Sequence, residues 1–115
     1  ELSCAGSNRV AGFGALSGYH RELKAEDAGL PVCDFSDLAG GDAEGNLHLL
    51  HQLVTPGASG VPAGLRNSIL FNAGAAPWIT GSEGSLRDGV ERADDALRSG
   101  QVAGWLQKVR EFYQS

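Results

Sequence analysis

The sequence predicts an α/β unit in which a β-hairpin is followed by about four helices. Two kinds of pattern carry this. Short, partly alternating runs separated by glycines open the chain, and apolar residues recur at helical spacing from Asp42 onward, with clear start and stop signals in the last third. At 115 residues the chain has room for one small domain or for part of a larger one. With no internal repeat or low-complexity tract, residues 1–115 read as a single unit.

"LSCAGSNRV" and "YHRELK" form the two arms of the hairpin, joined by "AGFGALSG", whose Gly12, Gly14 and Gly18 are expected to supply positive-φ positions. The chain starts directly in these strand-like residues with no initiator Met, which predicts a piece of something longer. Residues 26 to 46 have no period and many turn formers, and predict an irregular connection over the surface.

Helix one begins after Asp42 as N-cap, carries Leu47, Leu50 and Val54 on one stripe with Leu49 and Leu53 beside it, and ends at "TPG". Pro62 suits the first position of a second helix, with Leu65, Ile69, Leu70 and Ala73 on its apolar side. In that helix "AGAA" at 73–76 removes side-chain bulk for a full turn, so another backbone is expected to approach closely there. Pro77 has no N–H and its ring collides with the Ala73 carbonyl, which predicts a kink or a stop. Ser85 with Asp88 forms a variant capping box ahead of Leu86, Val90, Ala93 and Leu97, and Gly100 ends this third helix. Val102, Trp105, Leu106, Val109 and Phe112 mark the fourth.

Composition narrows the function. Nine Lys and Arg against 14 Asp and Glu give a net charge of -5, which repels phosphodiester backbones and excludes nucleic acid as the expected partner. No apolar run approaches the roughly 18 residues of a membrane span. Cys4 and Cys33 form no C-x-x-C pair, so a reduced, cytoplasmic chain is expected rather than a disulfide-bonded one.

Local motifs are sparse. "GFGALSG" has Ser17 where a dinucleotide fingerprint needs its last Gly, and reads as a hairpin turn. His48 and His51 lie three apart on helix one without a third ligand at a recognisable spacing, and Glu91, Asp94 and Asp95 read as the wet face of helix three. Neither a phosphate-binding G-K-[ST] loop nor a G-x-S-x-G elbow occurs.

The order of features carries more than any one motif. "ILFNAGAAPWITGSEGSLRDGVERADDALRSGQVAGWLQKVREF" resembles the C-terminal end of the anthranilate phosphoribosyltransferase family, with its asparagine- and alanine-rich helix, a glycine, then an "SL-x-x-G-V-x-x-A" helix. "ELSCAGSNRV" is similar to the strand after that family's Asp-Glu pair, and "LKAEDAGLP" and "GGDAEGNLHLLHQLV" resemble its downstream connection and helix. The likeness spans nearly the whole chain. It implies the C-terminal portion of a nucleoside phosphorylase/phosphoribosyltransferase-type α/β domain, and transfer of a phosphoribosyl group from phosphoribosyl pyrophosphate to anthranilate in tryptophan biosynthesis, using Mg²⁺. A related nucleoside phosphorylase-like transferase or a non-catalytic interaction module are the alternatives.

The resemblance further implies that Glu1 is the one member of the Asp-Glu pair within these residues and a Mg²⁺ ligand; the plainer reading is a solvated terminal residue. The family's Gly-rich phosphate loop, its anthranilate-contacting arginine and its helical dimerisation domain are expected before residue 1, so no catalytic or cofactor-binding residue is assigned here and the 115 residues alone are expected to be inactive. A homodimer through that N-terminal domain is implied. Pro77-Trp78 departs from the family's Leu-Tyr type stretch.

Overall fold

The computed structural model describes residues 1–115. Two short strands, β1 (Asn8–Ala11) and β2 (His20–Leu23), precede four helices: α1 (Ala43–Val54), α2 (Ala63–Ile79), α3 (Leu86–Arg98) and α4 (Gln101–Gln114). Single-turn 3₁₀ segments occupy Gly14–Leu16, Ala25–Ala28 and Phe35–Leu38. The hairpin and four helices are those the sequence predicts.

The strands pair antiparallel with Asn8 opposite Leu23 and Ala11 opposite His20. The first strand is much shorter than the alternating run predicts. Its upstream polar groups are taken elsewhere: the Ser3 N–H donates to Asn8 Oδ1 at 2.7 Å, and Asn8 Nδ2 donates to the carbonyls of Ser3 and Leu23 at 2.9 and 3.0 Å. In the connecting loop Gly14 and Gly18 have φ of 64° and 85°, as expected. Gly12 does not; a Cβ there would lie 2.4 Å from the Leu16 carbonyl oxygen, so it is a close-approach glycine.

The connection after β2 departs from a surface path. Ala25, Ala28 and Leu30 are buried in the core, because the 3₁₀ turn closed by Gly29 at φ 76° folds them inward. The Lys24 N–H donates to Asp27 Oδ2 at 2.8 Å and fixes that turn. Phe35, by contrast, stays exposed.

Asp42 caps α1 as expected, accepting from the Gly45 N–H at 2.8 Å. The predicted stripe is covered only at its end: Val54 is buried, whereas Leu47 and Leu50 remain exposed. Pro62 is the N-cap of α2 and the helix starts at Ala63. Its buried face comprises Gly64, Ser68, Leu70, Phe71, Gly74 and Ala75, which is rotated from the predicted set, leaving Ile69 and Ala73 exposed.

The small-residue turn does what the sequence predicts. A Cβ on Gly74 would meet the Val90 backbone nitrogen at 2.5 Å, and one on Gly89 would meet the Gly74 carbonyl oxygen at 2.1 Å. Backbone therefore lies on backbone where α2 crosses α3. The ion pair between Arg66 and Asp94, with Arg98 Nε 2.9 Å from the same carboxylate, ties the same two helices at their edge.

Pro77 does not stop the helix, which runs on to Ile79. It sits in the last turn, so its absent N–H removes only the bond to Ala73. Its own carbonyl accepts from the Glu83 N–H at 3.0 Å and from Ser82 Oγ at 3.2 Å, which makes it part of the helix exit. Trp78 beside it meets Tyr19 edge to face, ring centroids 5.4 Å apart, and docks the hairpin on this end of α2.

Ser85 Oγ accepts from the Asp88 N–H at 3.1 Å at the start of α3, and Leu86, Val90 and Leu97 are buried. Gly100 (φ 80°) separates α3 from α4. No residue of α4 is fully buried; Trp105, Phe112 and Tyr113 are exposed.

Candidate functional site

The candidate site is the first turn of chain and the face of α2 beneath it. Glu1 is exposed, and its neighbour Leu2 is held on both sides of its peptide by one amide side chain. Asn72 Oδ1 accepts from the Leu2 N–H at 2.8 Å, and Asn72 Nδ2 donates to the Leu2 carbonyl at 2.7 Å. The same Nδ2 donates to the Ser68 carbonyl at 2.8 Å, one turn back on α2, which fixes the amide's rotamer. Ser68 Oγ in turn accepts from the buried Cys4 N–H at 3.1 Å. Residues 1–4 are thus fastened to α2 by polar side chains in an otherwise apolar helix face, where unpaired backbone groups would be costly.

Burial pushes the Cys4 thiol above its ordinary value of 9.0, partly offset by a hydrogen bond from Ser68 and raised further by the neighbouring Cys33. Both cysteines are free.

Other polar clusters bring no second site. His48 and His51 are both exposed on α1, and no group of three or more His, Cys, Asp or Glu side chains is arranged to hold a metal ion. Glu91 and Asp95 lie on the wet face that the sequence predicts, whereas Asp94 is half-buried and held by Arg66 of α2 and by Arg98 at 2.9 Å. The glycine loop at 12–18 is the hairpin turn. Ser68 and Asn72 escape pattern reading because they sit where the helical period expects apolar residues. A polar residue at Ser68, one turn from Asn72 and in line with buried Phe71, was the available signal.

The sequence profile of the glycosyl transferase family, a/b domain, matches residues 1–103. The chain belongs to this family. Among curated relatives, the anthranilate phosphoribosyltransferase of Myxococcus xanthus is 41% identical over 112 residues, covering 96% of this chain and 32% of that protein. That of Bradyrhizobium sp. is 39% identical over 111 residues, covering 95% and 31%. The crystal structure of anthranilate phosphoribosyltransferase from Thermus thermophilus superposes with a TM-score of 0.86 at 30% identity, covering 100% of this chain and 33% of that one. The chain spans about a third of the length of the glycosyl transferase relatives it matches. The α/β fold with its hairpin and four helices is that of this neighbour's corresponding third.

Proposed function

We propose that these residues form the C-terminal part of the catalytic α/β domain of an anthranilate phosphoribosyltransferase, a pentosyltransferase that moves the phosphoribosyl group of phosphoribosyl pyrophosphate onto the anthranilate amine in tryptophan biosynthesis. The observation that carries this is the match along the whole chain in both sequence and fold to proteins of that name. Other glycosyl transferases share the fold class, so the acceptor rests on those relatives' names.

Within that reaction Glu1 supplies one carboxylate to Mg²⁺. The donor chemistry suits a hard cation, which takes carboxylate oxygen and completes its octahedron with water and substrate phosphate rather than with an all-protein cage. One exposed carboxylate that belongs to no group of three or more possible ligands suits such a shared site rather than a self-contained one. A Mg²⁺ ion held by Glu1 and substrate phosphate would supply positive charge to offset that of the departing pyrophosphate. The task of this chain is placement: Asn72 grips the Leu2 N–H and carbonyl and so fixes the backbone next to Glu1 against α2, which limits the region its exposed carboxylate can reach. A cytoplasmic location and a homodimer built through a separate domain belong to the same reading.

The test uses the intact protein that contains this segment. Offered phosphoribosyl pyrophosphate, Mg²⁺ and anthranilate, it should yield phosphoribosyl-anthranilate and pyrophosphate by mass spectrometry. Turnover of a nucleoside with phosphate, and none of anthranilate, would assign it to a phosphorylase instead.

A further inference from the structure

Cys4 and Cys33 are 29 positions apart in sequence and lie side by side in the fold. The Cys33 N–H donates to the Cys4 carbonyl at 3.1 Å. This single bond sets the two backbones directly against each other, and a disulfide spans Cα atoms roughly 4.4–6.8 Å apart. Both residues also pack on one face of α2. The backbone of Cys4 is bonded to Ser68, while Gly64, one turn earlier, lacks a Cβ that would otherwise lie 2.6 Å from the Cys33 Cβ. Gly64 and Ser68 are one turn apart on α2, so the two cysteines dock on adjacent turns of the same helix face. Cys33 is close enough to add to the rise of the Cys4 thiol, after the larger effect of burial, which accords with this proximity.

We infer that Cys4 and Cys33 are an oxidative modification site, a dithiol that closes to an intramolecular disulfide when the protein meets a hydroperoxide. The two thiols divide the work by exposure. Cys4 is fully buried, whereas Cys33 is partly exposed and receives the oxidant. The Cys33 thiolate attacks one peroxide oxygen, the O–O bond breaks, and water or an alcohol leaves, with Cys33 as the sulfenic acid. Cys4 then gives up its proton, its sulfur attacks the Cys33 sulfur, and the S–O bond breaks to release water. In sum two thiols lose two electrons and two protons, and the peroxide takes both. Capture by Cys4 halts the chemistry before the irreversible sulfinic acid. The bridge joins the segment that follows Glu1 to the connection between the hairpin and α1, and the inference is independent of the phosphoribosyl-transfer reading.

The intact protein is treated with equimolar hydrogen peroxide under native conditions, alkylated, digested and mapped. Expected is one linked pair of peptides carrying Cys4 and Cys33, about 2 Da lighter than their sum and separated by dithiothreitol. In Cys4→Ser the same treatment should leave Cys33 as a sulfenic acid that dimedone traps. Cys33 recovered in wild type as dimedone-reactive or sulfinic acid, with Cys4 still a free thiol, would overturn the inference, as would both thiols unmodified after excess peroxide. The decisive reading is made on wild-type protein, so it stands even if a variant fails to fold.

Discussion

Asn72 uses both ends of its amide on the Leu2 peptide, and this makes it the residue through which the helix layer reaches the candidate ligand Glu1. Asn72→Ala strands the Leu2 N–H and carbonyl in a partly buried place, at about 1–3 kcal/mol by the cost of leaving such groups unpaired. In the intact protein its melting temperature should fall, and the Mg²⁺ concentration needed for half-maximal rate should rise. Asn72→Asp keeps the acceptor toward the Leu2 N–H and loses both donors, so it should fall between the two; an Mg²⁺ dependence identical to wild type in both variants would separate Asn72 from the metal. Cys4 adds a pH signature. Its folded-state pKa is raised, so above pH 9.0 the unfolded chain releases a proton that the folded one retains, and stability falls as pH rises through that value. Denaturation midpoints measured from pH 8 to 10 should therefore drop more steeply in wild type than in Cys4→Ala. Glu1 as a ligand is an expectation from the family resemblance alone; Ser68 and Asn72 were hidden because periodicity reads a buried helix face as apolar.

At the scale of elements, the helix starts and stops were the most legible features, since Asp42, Ser85 and Gly100 act through bonds to their own neighbours in sequence. Facing directions were less so. Of Leu65, Ile69, Leu70 and Ala73, the predicted core stripe of α2, Leu70 is buried but Ile69 and Ala73 are not; the contact with α3 is made through Gly74 and Gly89, and only the partner helix determines that rotation. At Pro77 a full stop was not the outcome: the helix runs two residues further, because the cost of proline depends on how near the helix end lies, and the Ser82 and Glu83 bonds to its carbonyl form that exit. Gly74→Ala and Gly89→Ala each drive a methyl into backbone of the other helix, and should destabilise by about 1–3 kcal/mol or more, as overpacking does. Gly104→Ala is the contrast. It lies inside α4 with nothing within 4 Å of its would-be Cβ, so it should stabilise by about 0.5–1 kcal/mol. Chemical denaturation of the three variants checks the pair of claims, and equal effects at all three sites would remove the close crossing as their cause.

The whole molecule is loosely closed. Its radius of gyration is 15.3 Å, against about 13 Å for a compact chain of this length. Sixteen of 115 residues are buried, while Leu47 and Leu50 of α1 and Trp105, Phe112 and Tyr113 of α4 face outward. Such surface is what an α/β layer shows where more of its own domain packs, in keeping with relatives about three times as long. The start of the chain and its helix order made the family legible in sequence. The acceptor was not, because no motif in these residues identifies it. The most direct test of the central claim is growth without tryptophan of a bacterial strain lacking anthranilate phosphoribosyltransferase, expressing the intact protein that carries this segment. Growth should be restored by wild type and lost or sharply slowed by Glu1→Gln at equal protein level on an immunoblot; soluble wild-type protein that leaves the strain dependent on tryptophan would contradict the account.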